Sequence, residues 1–211
     1  TIESNLAGGD GTTYFGGGMN NNAASPVLSG CTLKGNSAKR GGGLANTNGS
    51  SPELNDCTVE TNTAVEYGGG MYSDGSAAIV SGSTFLGNTA NNGGGACNLG
   101  SSPQFTGCLF EANISTTYGG GMSNYGASNP TINNTVFTGN LAGGNGSRYL
   151  GGAIFNDASS PQLTNCTLSA NKAKYGGAIS SRNGSAKTAQ LLNECRPIVL
   201  TPMSLSILQM G

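Results

Sequence analysis

Few side chains in this 211-residue chain could perform acid–base chemistry: it has 10 acidic residues, 9 basic residues and no histidine. Without histidine, a Ser-His-Asp triad and a His-ligated zinc are excluded. Glu60 and Glu111 occupy the same position in repeats two apart, so stacked strands would separate them by about 9.6 Å. This is close to the carboxylate separation of inverting glycosidases, roughly 6.5–9.5 Å. Both are therefore candidate catalytic residues of a polysaccharide hydrolase or lyase.

The other acidic residues indicate a second possible chemistry. Glu53 and Asp56 share one repeat with Glu60, and Asp74 lies in the next. Carboxylate oxygens are ligands for Ca²⁺, so these residues are candidates for binding a cation or a substrate. The alternative is that they are exposed charges that maintain solubility. The cysteine spacing typical of a zinc site is missing, and no metal-ligating residues are predicted beyond this patch.

Aromatic residues stand directly before several glycine runs. Tyr67 and Tyr118 are the two candidates for substrate binding, and Phe15 and Tyr175 hold the same position in other repeats. Aromatic rings along one side of a protein could stack on sugar rings. They could equally cover the glycine backbone, so both interpretations stay open.

The glycine runs that follow these residues mark an internal repeat. Triplets begin at Gly16, Gly41, Gly68, Gly93 and Gly119, and pairs begin at Gly151 and Gly176. The spacing is 25 to 27 residues, except for one of 32 that contains an extra loop-like segment at 143–148. A period of this length predicts a solenoid or a related array.

Three apolar columns and one asparagine column recur at fixed positions between the glycine runs. The apolar columns include Leu28 to Leu163, Leu33 to Leu168 and Met19 to Ile179, and the asparagines run from Asn36 to Asn171. Short stretches of period-two alternation predict three strands per repeat. We therefore predict an all-β fold, a right-handed parallel β-helix (solenoid) of about six to seven coils with about 25 residues per coil. It covers residues 1–186, and 187–211 forms an irregular segment, a cap or a truncated end.

Two short motifs connect this repeat with a known family. They read Phe/Leu-x-x-Asn, as in Phe85–Asn88 and Phe137–Asn140, and Gly-Gly-Gly/Ala-apolar, as in 151–154 and 176–179. The repeat resembles that of the chlamydial polymorphic outer-membrane proteins and of related secreted bacterial right-handed parallel β-helix proteins. The resemblance covers about residues 5–185. It implies a passenger that is secreted or displayed on the cell surface and is often adhesive.

Composition limits the other classes of function. The net charge of −1 argues against binding to nucleic acid, and no apolar run is long enough for a membrane-spanning helix, so no membrane insertion of this segment is expected. Residues 1–9 lack the pattern of a signal peptide.

Cys31 and Cys57 fall in adjacent coils, where they are either reduced core thiols or a disulfide. A threonine column that includes Thr32 and Thr58 also admits ice binding as a minor alternative.

The sequence thus predicts an extracellular or cell-surface binding or adhesion module whose partner is a polysaccharide, a surface glycan or a surface protein. The alternative is a carbohydrate-active enzyme that uses Glu60 and Glu111, with Ca²⁺ as its conceivable cofactor. The unpaired strands at the ends of a solenoid also predict end-to-end self-association through uncapped coils.

Overall fold

The computed structural model describes residues 1–8, 14–143 and 149–183 together with the short strand at 191–192. All regular secondary structure in these residues is β, and every strand pairs in parallel with the equivalent strand of the next repeat. The chain is a β-solenoid of about six coils, as the repeat predicts.

Each coil has four sides rather than the three that the sequence indicates, and the described strands form four sheets. Sheet 1 follows the glycine runs and contains Met19–Asn22, Leu44–Thr47, Met71–Asp74, Ala96–Leu99, Met122–Tyr125, Ile154–Asp157 and Ile179–Arg182. Sheet 2 contains Val27–Ser29, Glu53–Asn55, Ile79–Ser81, Gln104–Thr106, Thr131–Asn133, Gln162–Thr164 and Leu191–Leu192.

The other two sheets complete the coil. Sheet 3 contains Ile2–Glu3, Thr32–Lys34, Thr58–Glu60, Thr84–Leu86, Leu109–Glu111, Val136–Thr138 and Thr167–Ser169. Sheet 4 leads back to the next glycine run and contains Ser37–Arg40, Thr63–Tyr67, Thr89–Asn92, Ile114–Tyr118 and Leu141–Ala142. The apolar pattern of the sequence does not reveal sheet 4, because the inward column of this sheet consists of small residues. Among them are Ala38, Ala64, Ala90 and Ser115. The prediction of three strands per repeat is therefore wrong.

The three predicted apolar columns form the interior of the solenoid. Leu54 in sheet 2, Val59 in sheet 3 and Met71 in sheet 1 are fully buried in one cluster. In sheet 3 the rings of Phe85 and Phe110 stack with centroids 4.6 Å apart and an interplanar angle of 2°. Because apolar side chains stack on apolar side chains at the strand spacing, each coil extends the same core.

The asparagine column forms a buried ladder at the corner between sheets 3 and 4. The Nδ2 group of Asn62 donates to Oδ1 of Asn88 at 3.0 Å and to the carbonyl oxygen of Leu33 at 2.9 Å. The backbone N–H of Asn62 donates to the same Oδ1 at 3.0 Å. Each amide thus satisfies the buried backbone of two coils, which confirms the predicted ladder.

The glycine triplets form the corner between sheets 4 and 1. Gly68 has a φ of 63°, a left-handed conformation that favours glycine. A Cβ atom on Gly69 would lie 2.5 Å from the carbonyl oxygens of both Gly94 and Thr89. Successive coils therefore pack backbone against backbone at this corner, and a side chain at the triplet's centre would separate them.

Cys31 and Cys57 are both free thiols. The thiol of Cys57 is buried and lies 3.5 Å from the carbonyl oxygen of Leu28, consistent with a small residue packed in the interior.

At the other end of the chain, Leu191–Leu192 pairs in parallel with Leu163–Thr164. The remainder of the predicted segment 187–211, including Cys195, lies outside the described residues.

Candidate functional site

The two candidate catalytic carboxylates lie in one outward column of sheet 3. Leu86 is paired in register with Glu60 on one side and with Glu111 on the other, so the carboxylates are two coils apart. Glu60 Oε1 lies 2.8 Å from Nζ of Lys34, one coil away. The two residues share one column, as the sequence predicts. The structure adds that Leu86 lies between them and that Glu60 is paired with Lys34.

The other predicted acidic residues do not meet at one place. Glu53 begins a strand of sheet 2, Asp56 occupies the turn before sheet 3, and Asp74 ends a strand of sheet 1. Asp74 accepts a hydrogen bond from the Tyr72 hydroxyl at 3.2 Å. Within the described residues no three His, Cys, Asp or Glu side chains are grouped so that they could hold a metal ion. These acidic residues are close together in the sequence, but in the structure they lie on different sides of the solenoid.

Tyr67 and Tyr118, by contrast, lie on the same corner two coils apart. Both end five-residue strands of sheet 4, whereas Arg40 and Asn92 end four-residue strands at the equivalent positions. The pairing register shifts by one residue just before these positions. Residues of this corner column from both kinds of strand, such as Arg40 and Tyr67, lie against Tyr72 on the outer face of sheet 1.

An outward column of sheet 1 supplies the rings and the small side chains that this corner covers. Tyr72, Cys97, Ser123 and Phe155 occupy successive coils of that column. Tyr72, Cys97 and Phe155 are almost completely buried although they point out of the solenoid. A second hydrophobic cluster, separate from the interior core, therefore lies on the outside of the glycine corner.

Arg40 lies among three rings at one end of this cluster. The guanidinium carbon is 5.8 Å from the ring centroid of Phe15, 5.3 Å from that of Tyr67 and 5.9 Å from that of Tyr72. Its Nε donates to Glu66 Oε2 at 2.9 Å, and Lys39 Nζ lies 3.3 Å from Glu66 Oε1. The rings and the ion pair together hold the guanidinium in place.

Arg182 forms a matching arrangement at the other end. Its guanidinium carbon is 5.0 Å from the ring centroid of Tyr118 and 5.1 Å from that of Phe155. These two rings stack with centroids 4.6 Å apart. Arg182 donates to Asp157 Oδ2 through Nε at 3.0 Å and through Nη2 at 2.8 Å. Each end of the cluster thus carries an arginine that stacks on aromatic rings and pairs with a carboxylate.

Between the two arginines lies an open pocket of about 360 Å³, which we call the corner groove. It is lined by the two arginines, by tyrosines and by three smaller residues between them, Asn92, Cys97 and Leu99. The rings of Tyr67 and Tyr125 approach edge to face across it, with centroids 6.4 Å apart. Asn92 is 9% exposed, and its Oδ1 makes no hydrogen bond to any described residue.

Burial and pairing set the charge states around the groove. Burial raises the pKa of the Tyr72 and Tyr125 hydroxyls and of the Cys97 thiol, so all three are neutral near pH 7. Partial burial opposes ionisation of Glu66, but hydrogen bonds from Arg40 and Lys39 outweigh it and lower the pKa of that carboxyl. Asp157 follows the same pattern, and the hydrogen bonds from Arg182 and Asn183 lower its pKa. Both arginines are thus held by ionised carboxylates.

Sequence reasoning named Tyr67 and Tyr118 but missed the rest of the groove. Tyr72, Tyr125 and Arg182 carry no local signal, because they lie in sheet 1 and reach the corner only through the fold. One signal was available: Arg40 and Asn92 stand directly before glycine triplets, as Tyr67 and Tyr118 do.

The fold and this site define a class: a parallel β-solenoid with an open lateral aromatic groove that has an arginine at each end. Comparison of the chain with protein-family models, with curated proteins and with solved structures finds no match. Among the described residues there is no helix of the length and apolar character needed to cross a bilayer.

Proposed function

We propose that this β-solenoid is a secreted or surface-displayed glycan-binding module and that the corner groove binds the sugar. The observation that carries the proposal is the groove itself, where tyrosine rings line an open pocket between two fixed arginines. Aromatic rings present flat apolar faces, and arginine and amide groups provide hydrogen bonds at defined positions. This combination suits sugar rings, which have both apolar faces and hydroxyl edges.

The repeat supports the proposed location. Its two motifs resemble those of the chlamydial polymorphic outer-membrane proteins, which implies display at a surface. The solenoid would serve as a rigid support, because parallel pairing in every coil and the asparagine ladder fix the groove residues relative to one another.

The groove favours binding over catalysis. Two carboxylates beside it, Glu66 and Asp157, are each paired with arginine, and the pKa of each is lowered. A general acid needs a raised pKa, so neither carboxylate suits that role. The hydrolase or lyase hypothesis at Glu60 and Glu111 concerns a different side of the molecule and stays a separate prediction.

A glycan array followed by calorimetric titration tests the proposal. We expect binding to at least one glycan, with the affinity reduced about tenfold or more in Tyr118→Ala, which removes a stacked ring. Tyr175→Ala is the matched control, because Tyr175 holds the same corner position and precedes glycines but lies outside the groove lining. The proposal is wrong if no glycan binds, or if the two variants bind equally well.

A further inference from the structure

We infer that the corner groove binds an oligosaccharide that carries anionic groups, either carboxylates or sulfates, rather than a neutral glycan. The inference rests on the proposed function and specifies its ligand class. Three observations lead to it: the charge of the groove lining, the geometry of Arg40 and the unpartnered amide of Asn92.

The ionised groups in the described lining of the groove are cationic. Arg40 and Arg182 are both part of it, and no carboxylate is. The acidic residues nearby lie outside the lining: Glu66 is paired with Arg40 and Lys39, and Asp157 with Arg182. Asp74 lies beside Tyr72 on the outer face of sheet 1. The described lining of the groove thus presents two guanidinium groups and no carboxylate.

Arg40 keeps hydrogen-bonding capacity for a ligand. Its Nε donates to Glu66, and its two terminal nitrogens make no hydrogen bond to any described residue. Its side chain is 27% exposed, so part of the guanidinium is open to solvent. A neutral ligand would remove water from this group and return hydrogen bonds without a balancing charge. A carboxylate or sulfate would supply the opposite charge as well and can accept from two guanidinium nitrogens at once.

Asn92 provides a contact for a sugar hydroxyl between the two arginines. It lies two coils from Arg40 in the corner column, about 9.6 Å along the solenoid at the usual strand spacing. Its amide is nine-tenths buried, and Oδ1 has no partner among the described residues. Buried amides are normally hydrogen-bonded. Oδ1 is itself shielded from solvent, so a sugar hydroxyl reaches it only when neighbouring side chains of the groove move. A sugar chain with hydroxyls near its middle and negative charge towards its ends fits this order of groups.

The test uses probes that differ in charge but share one backbone. Calorimetric titration compares oligogalacturonate with its fully methyl-esterified form, and a heparin-derived oligosaccharide forms a separate, sulfated arm. We expect one acidic probe to bind at least tenfold more tightly than the neutral ester, with an affinity that falls as salt is raised. The two acidic arms distinguish carboxylate from sulfate as the group recognised.

Substitutions test whether the groove is the site at which the acidic probes bind more tightly. Arg40→Gln should weaken binding of the acidic probe about tenfold or more and weaken any binding of the ester much less, because the ester loses a hydrogen-bond donor but no ion pair. Lys34→Gln, which removes a basic residue from sheet 3, should leave both affinities unchanged. Thermal unfolding of each variant shows whether it is folded, and Asn92→Ala supplies a second variant that keeps the charge and should weaken binding of the same probe.

The outcomes separate the inference from the proposed function. If the ester or other neutral glycans bind as tightly as the acidic probes and Arg40→Gln has no effect, the inference is wrong while the glycan-binding function stands. If no glycan binds at all, both are wrong. If acidic probes bind but Lys34→Gln weakens them as much as Arg40→Gln does, attraction to the whole surface explains the binding, and the groove is not the site.

Discussion

Sheet 3 and the corner groove both carry candidate functional side chains, but they arrange them differently. On sheet 3, outward residues follow a straight column in which Glu60, Leu86 and Glu111 stand one strand apart. At the corner, sheet 4 bends back towards sheet 1, and side chains from both sheets meet. Tyr67 from sheet 4 thus packs against Tyr72 from sheet 1, with ring centroids 6.0 Å apart.

The difference shows where a solenoid can build a site. A flat side keeps equivalent residues at multiples of the strand spacing, so only neighbours in one column interact, as Lys34 and Glu60 do. A concave corner adds convergence between two columns. Aromatic rings are buried there on the outside of the chain, and arginines are held over them.

The largest expected effect comes from the asparagine ladder, on which both regions depend. Asn88→Ala removes an amide that accepts two hydrogen bonds from Asn62 and donates to Val59 and Asn113. Each buried group left unpaired costs about 1–3 kcal/mol, so we expect the free energy of unfolding to fall by about 3 kcal/mol or more. Denaturant unfolding measures it, with the exposed Asn22→Ala as control. A small effect would mean that water or neighbouring groups replace the ladder.

The second-largest expected effect is a difference in stability between a variant at the corner and a variant on sheet 3. Tyr72→Ala should lower the free energy of unfolding by about 3 kcal/mol, because the ring is fully buried under Phe15 and Tyr67. Leu86→Ala on sheet 3 should lower it by about 1 kcal/mol, because that side chain is only partly buried. Equal losses in the two variants would show that the corner cluster adds no more stability than the flat side.

The stability of the fold should also decrease at acid pH, because the ion pairs beside the groove are lost there. The pKa values of Glu66 and Asp157 are lowered in the folded chain, so their ion pairs stabilise it above the usual carboxyl range, about 3.9–4.3. This stabilisation is lost as the pH falls through the lowered pKa values. We expect the melting temperature to fall between about pH 5 and pH 2, and to fall less in a Glu66→Gln, Asp157→Asn double variant. Identical pH profiles would show that the two pairs do not contribute.

The smallest expected effect concerns the carboxylates of sheet 3. Glu60→Gln and Glu111→Gln should leave glycan binding in the groove unchanged, because both residues lie in a different sheet from its lining. The same variants test the hydrolase or lyase hypothesis on a polysaccharide panel with and without Ca²⁺. Cleavage by the original chain that both variants lose would establish a catalytic site on sheet 3.

The repeat alone determines most of the architecture. Glycine triplets, apolar columns and the asparagine column each recur with the coil period, and each role depends only on the equivalent residue in the next coil. The solenoid, its stacked core and the ladder could therefore be predicted. Sheet 4 could not, because its inward Ala38 and Ala64 bury too little apolar surface to mark a strand.

The candidate site depended on the tertiary structure. Tyr67 and Tyr118 share a repeat position and could be named from the sequence, whereas Tyr72 and Phe155 belong to another column. Only the bend at the glycine corner brings the two columns together. The acidic residues show the converse, since Glu53, Glu60 and Asp74 are close in sequence and face different sides. Periodicity specifies contacts along a column, whereas contacts between columns depend on the angle at which the sheets meet.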